Sequence, residues 1–186
     1  MLNLPERIYY LKMTVAPEVD DSVIALRCRI VSGRGIAQKQ GFLSEPLLIE
    51  LLGAVPFPGT LNILSPVPLA FDPQKALVLN GGRARFWPVT VEGTPCLAHR
   101  WRNCPLHVIE IVSATKIRDM LVAEQQEVSV KFSPVIPVSR LQKTAWRFFW
   151  EGHEEDYYGN DEYLRTVKRS RLLYKLANQP NSRKNR

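Results

Sequence analysis

The eight residues Pro56-Phe57-Pro58-Gly59-Thr60-Leu61-Asn62-Ile63 are the most informative stretch of this chain. Two prolines and a glycine stiffen a tight turn, because proline holds φ near about −65° and glycine accepts backbone shapes closed to other residues. Residues 60–64 behind the turn read as a short strand. Thr60 and Asn62 stand two apart, so on a strand their side chains share one face. A hydroxyl and a carboxamide oxygen placed together suit a small hard cation. Mg²⁺ favours such ligands and usually keeps waters and substrate phosphates as the others. Alone, such a pair is more often plain strand surface.

Working outward, residues 22–31 alternate, with Ile24, Leu26, Cys28 and Ile30 on one side and Arg27 and Arg29 on the other. That period predicts a half-buried strand. It runs into Ser32-Gly33-Arg34-Gly35, a turn whose backbone N–H groups can face phosphate. Ser44 as a cap, Pro46 in the first turn and Gly53 as the stop predict a short helix through Leu47–Leu52. Downstream, residues 83–91 and 95–99 predict strands around the hairpin signal Glu92-Gly93-Thr94. Residues 106–113 and 127–132 predict two more, and residues 115–122 one or two helical turns. Glu110 interrupts the apolar run of its strand, as a carboxylate with a buried partner or a cleft in front of it would. Five or six short strands and two short helices within about 110 residues predict a mainly β fold, a small barrel rather than an alternating α/β sheet.

The chain has 186 residues and a net charge of +7. Residues 164–186 hold eight of the Lys and Arg side chains and no acid, so the rest is nearly neutral and the basic character belongs to the tail. The organisation expected is a lead-in over residues 1–21, a barrel domain over 22–133 closed off by Pro134 and Pro137, and an extension over 134–186. In the extension Trp146, Phe148, Phe149 and Trp150 form an aromatic cluster expected to pack on the barrel. Residues 161–177 predict a helix with Tyr163, Val167, Ser170, Tyr174 and Ala177 on one side and basic residues on the other. The residues after Gln179 read as disordered. No apolar run approaches the roughly 20 residues of a membrane span. Glu6, Arg7 and Lys12 interrupt the first residues, which lack the apolar core of a signal peptide, so a cytoplasmic protein is expected. Cys28, Cys96 and Cys104 show no CxxC spacing, which argues against a zinc site or disulfide framework.

Taken in order, four segments resemble the archaeal-type CTP-dependent riboflavin kinases. They are Val31-Ser32-Gly33-Arg34-Gly35, the helix ending in Leu51-Leu52-Gly53, the turn and strand 56–63, and Ile109-Glu110-Ile111-Val112 followed by Lys116-Ile117-Arg118. The resemblance runs from Ile30 to about Phe132. It implies a cradle-loop (RIFT-like) β-barrel that phosphorylates riboflavin to FMN with CTP as donor. By the same resemblance Thr60 and Asn62 are Mg²⁺ ligands. Gly33, Arg34, Gly35, Ile36, Ala37 and Gln38 form the loop around the nucleotide. Thr115, Lys116, Ile117 and Arg118 hold its cytidine end, and Glu110 is the catalytic carboxylate facing the acceptor. Arg34 or Lys39 is the expected charge-neutralising cation. The chain departs from the family where residues 36–42 read Ile-Ala-Gln-Lys-Gln-Gly-Phe. It departs again at Arg100-Trp101-Arg102-Asn103-Cys104-Pro105, in place of a flavin-holding segment. Arg100 and Arg102 there point to an anionic or sugar-like acceptor, with Arg102 as an acceptor-binding residue. The alternatives are a kinase of the same fold with a non-flavin acceptor, and a non-catalytic barrel binding nucleotide, or nucleic acid through the basic tail.

Overall fold

The computed structural model describes residues 23–33, 45–82, 84–101, 104–121 and 126–159. Its elements are β1 (Ile24–Val31), α1 (Pro46–Leu52), β2 (Leu61–Leu64), β3 (Ala70–Phe71), β4 (Leu77–Leu79), β5 (Ala84–Val91), β6 (Thr94–Trp101), β7 (Val108–Val112), β8 (Glu127–Phe132), β9 (Val135–Ile136), α2 (Arg140–Trp150) and α3 (Asp156–Gly159). Six strands run β5-β6-β7-β2-β1-β8, and β8 pairs back onto β5 to close an antiparallel barrel, with β4 as an extra strand. One edge of β5 serves two partners. Residues 84–86 take β4 and residues 89–91 take β8. Closure removes the unpaired edges that an open sheet would present.

The β5–β6 hairpin turns at Glu92 (φ 46°) and Gly93 (φ 81°), with Val91 opposite Thr94. Positive φ at both loop positions is the two-residue turn whose twist matches the flanking strands. Glu92 then accepts a hydrogen bond from the Ser129 N–H at 2.7 Å, tying the hairpin tip to β8.

Strand alternation sorts the side chains. Cys28, Leu61, Ile63, Ala98, Ile109 and Ile111 point into the barrel and are buried. The opposite faces of β2, β6 and β7 are not left to solvent. Leu48 of α1 packs on Phe86, Leu97 and Val112. The C-terminal extension covers Leu64 and Val108 through Tyr157 and Tyr158. Strands β2 and β7 are therefore buried on both faces, which is why their sequence is a near-continuous apolar run rather than an alternation.

Arg100 points inward beside Ala98. Its Nε donates to the Val108 carbonyl at 2.9 Å, Nη1 to Leu69 at 2.9 Å and Nη2 to Leu106 at 2.5 Å, and its guanidinium lies 4.7 Å from the Phe71 ring centroid. Burial pulls its pKa down to about 10. A buried cation is tolerated only with such saturation, and here it stitches the loop before β3 to the segment entering β7.

Several expectations need correction. The start of α1 is Glu45, without a side-chain cap; Ser44 lies outside the described residues. The helical turn expected from residue 115 is present as a 3-10 turn, Ile117–Met120. Pro134 does not end the domain, because β9 follows at once and pairs with β3. The short β3 and β4 escaped the sequence reading, being too brief to show a period. Three of the four aromatic residues expected to pack on the barrel do so, while Phe148 is exposed. They lie on α2, which opens with a capping box between Ser139 and Gln142 and buries Trp146, Phe149 and Trp150 around Leu106. The helix expected over 161–177 lies outside the described residues. Among the described residues no helix is long and apolar enough to cross a membrane.

Candidate functional site

Register alone assembles the site. Val31 pairs with Asn62, Asn62 with Glu110, Glu110 with His99, and His99 with Phe86. Directly paired residues on adjacent strands share a face. These five side chains therefore form one belt across the outside of the barrel. At one end α1 lies on Phe86, and at the other the C-terminal extension lies on Val31.

Asn62 is 6% exposed. Gly33, just past the end of β1, packs directly on its carboxamide: a Cβ at Gly33 would lie 2.8 Å from Asn62 Cγ and closer still to Nδ2. On its other side the Tyr158 hydroxyl donates to Asn62 Oδ1 across 3.4 Å. Glu110 is partly accessible, its side chain 16% exposed, and His99 Nδ1 lies 3.1 Å from its Oε2. His99 is buried and stacks on Phe86 at 4.7 Å. The ring is thus fixed by an aromatic neighbour and in turn fixes the carboxylate.

The other segments converge on the same region. The turn before β2 is tied to the end of β7 by the Phe57 N–H, which donates to the Ser113 carbonyl at 2.8 Å. The Ser113 hydroxyl donates to the Thr115 carbonyl. Arg118 Nη2 reaches the Val31 carbonyl at 3.1 Å. Hence Gly33, Thr60, Asn62, Glu110 and the 115–118 segment, far apart in sequence, surround one end of the β1–β2–β7 sheet.

Not every predicted residue is available. Ile117 is buried in the barrel core, so its side chain has no free surface for a nucleotide. Lys116 is paired with Asp119 at 2.6 Å, though both are well exposed. Thr115 is exposed and directs its hydroxyl at Met120 Sδ, 3.6 Å away. Arg100 is spent on three carbonyls, which removes it as an anchor for an anionic acceptor. Arg34, Gly35, Ile36, Ala37, Gln38, Lys39 and Arg102 lie outside the described residues.

The oxygen donors near Asn62 suit Mg²⁺ in kind: a half-buried hydroxyl at Thr60, a carboxamide oxygen and one carboxylate. No cluster of three or more His, Cys, Asp or Glu occurs among the described residues. A cation here would therefore rely on substrate phosphates for most of its charge. The 3.4 Å bond from Tyr158 is long, hence weak, and easily exchanged for a stronger ligand.

The sequence reading missed His99 and Tyr158. His99 was legible in principle, since β6 alternation places it outward two residues before Trp101. Tyr158 carried no signal, because its position depends on how the extension returns to the barrel. A separate groove of about 410 Å³ lies against α2, lined by Ile24, Val67, Leu69, Val135, Ile136 and Trp146 among others. It contains none of the predicted site residues. The cysteines are buried and unbridged, and burial pushes the thiols up, Cys28 to about 12 and Cys96 to about 11, so neither is a ready nucleophile.

No protein-family model matches the chain, and a search of curated proteins finds no match.

Proposed function

We propose that the outer belt at Asn62 and Glu110 is a phosphoryl-transfer site. CTP is the donor and riboflavin, or a related small hydroxyl compound, the acceptor. The observation that carries this reading is the register Asn62↔Glu110, with the Gly33 backbone packed on Asn62. An amide, a carboxylate and Gly33 thereby share one patch, which supports reading Asn62 as a metal ligand and Glu110 as the catalytic carboxylate.

Phosphoryl transfer asks little covalent chemistry of a protein and depends on positioning and charge neutralisation. Thr60 and Asn62 would hold Mg²⁺, which supplies neutralising charge to the phosphates when bound. Gly33, packed on Asn62, opens the segment expected to lie around the nucleotide. Arg118 adds positive charge beside the end of β1. Glu110 accepts the acceptor's hydroxyl proton, and His99 holds that carboxylate in place.

The burial of Asn62 beneath Tyr158 favours one second reading, a barrel that binds nucleotide without turning it over. A single assay separates the two. CTP, ATP, GTP and UTP are each incubated with Mg²⁺, riboflavin and the full chain, and FMN is followed alongside nucleotide binding. FMN formation with CTP, lost in Thr60→Ala/Asn62→Ala, supports catalysis. CTP binding without FMN supports the second reading, and neither result with any nucleotide overturns both.

A further inference from the structure

The groove against α2 is built from parts that other contacts already fix. Val135 and Ile136 are held by the pairing of β9 with β3. The Ser65 hydroxyl donates to the Val67 carbonyl at 2.7 Å, and the Leu69 N–H donates to the Leu106 carbonyl at 2.9 Å. On α2, Trp146 is buried and its Nε1–H is tied to His107. The lining divides by chemistry. From β1, β9, Val138 and residues 66–69 it is aliphatic. The charged side chains among the described lining residues are Lys143, Arg147 and Glu151, all on α2. They stand four apart, so they follow one side of that helix. Arg147 and Glu151 are 3.7 Å apart and 70% and 59% exposed, a pairing that contributes only about 0–1 kcal/mol. Two cations against one carboxylate give an apolar trough a net positive edge. Its volume of about 410 Å³ falls within the roughly 300–1,000 Å³ of small-molecule sites.

We infer that this groove binds a small amphiphile of the straight-chain carboxylate class, an aliphatic body with one anionic end. The body is buried against Val67, Leu69 and Ile136, and removing its surface from water drives binding. The carboxylate meets Lys143 and Arg147 at the edge, where a charge-assisted hydrogen bond fixes its direction. The site is separate from the Asn62–Glu110 belt and does not depend on the phosphoryl-transfer reading.

The test is calorimetric titration of the full chain with octanoate, decanoate and dodecanoate, each below its micelle concentration, against decanol and decylammonium. Saturable binding is expected, about fourfold tighter per added methylene until the groove is filled. Decanoate is expected to bind about tenfold or more tightly than decylammonium. Lys143→Glu/Arg147→Glu changes only exposed side chains and is expected to reverse that preference. Val67→Asp places a charge at a position 41% exposed in the aliphatic wall and is expected to weaken decanoate about tenfold or more. Thermal unfolding of both variants checks that the fold is kept. No saturable carboxylate binding by the parent chain overturns the inference. So does binding that neither variant changes, or equal affinity for decanoate, decanol and decylammonium. A dimer in sedimentation that Val67→Asp dissolves assigns the groove to a second copy and overturns it as well.

Discussion

Gly33 and Asn62 are in contact so close that the first has no room for a side chain. The backbone of Gly33 lies outside the left-handed region, so nearness to the Asn62 carboxamide, and not backbone shape, demands glycine there. Gly33→Ala is expected to displace the carboxamide and cost about 1–3 kcal/mol, the usual range for overfilling a packed site. In an Asn62→Ala background the same substitution is expected to cost under about 0.5 kcal/mol, as for independent sites. Urea unfolding of the four proteins measures this, and equal costs in both backgrounds would disprove the contact.

The buried His99 and the partly accessible Glu110 form a dyad whose members depend on each other. Removing the carboxylate in Glu110→Ala leaves the buried His99 Nδ1 without that acceptor, at an expected cost of about 1–3 kcal/mol. A double-mutant cycle with His99→Phe, which preserves the ring stacked on Phe86, is expected to return a coupling of about 0.5–3 kcal/mol. Additive losses would mean that the two side chains do not interact.

The extension is docked through a neutral histidine. Trp146 Nε1–H donates to His107 Nδ1 at 3.0 Å, so that nitrogen must be an unprotonated acceptor. Burial drives the His107 pKa from 6.5 down to about 3. Between these values the unfolded chain takes up a proton that the folded chain refuses. Stability from this group is complete above about pH 6.5 and is lost as the pH falls toward 3, with a slope up to about 1.4 kcal/mol per pH unit. Thermal unfolding from pH 7 to pH 4 is expected to fall less steeply in His107→Gln than in the parent. Parallel slopes would exclude a neutral, docked His107.

Arg100 is a structural cation. Arg100→Met is expected to leave three buried carbonyls without their donor and to cost about 3–5 kcal/mol. Arg100→Lys is not expected to recover most of this, because a compact ammonium cannot span the three acceptors that the planar fork reaches. Chemical denaturation checks both. Full stability in the lysine variant would show that charge alone suffices.

The barrel itself was legible in the chain wherever one face of a strand was buried and the other was not. β1 and β8 alternate because solvent meets Ala25, Arg27 and Arg29 on the one and Glu127, Ser129 and Lys131 on the other, and Glu92-Gly93 marks its hairpin because only certain residues accept positive φ. Legibility failed in two places. The two-residue β3 and three-residue β4 are too short for any period to emerge. The end of the barrel domain was set at Pro134, whereas β9 lies beyond it and pairs with residues more than sixty positions earlier. Residue type suggests a ligand role for Arg100 and the family resemblance one for Ile117, and burial gives both to structure.

What the amino-acid order determined alone was local. It set the alternation of β1 and β8 and the glycine and proline turns, each of which depends only on neighbours within a few residues. Tertiary structure decided the rest. It aligned Asn62, Glu110 and His99 in one row, pressed Gly33 onto Asn62 and returned Tyr158 to the same amide, 96 residues along the chain. The reason is that register and closure arise from pairing between distant strands, and no local period records which strand a given residue will face.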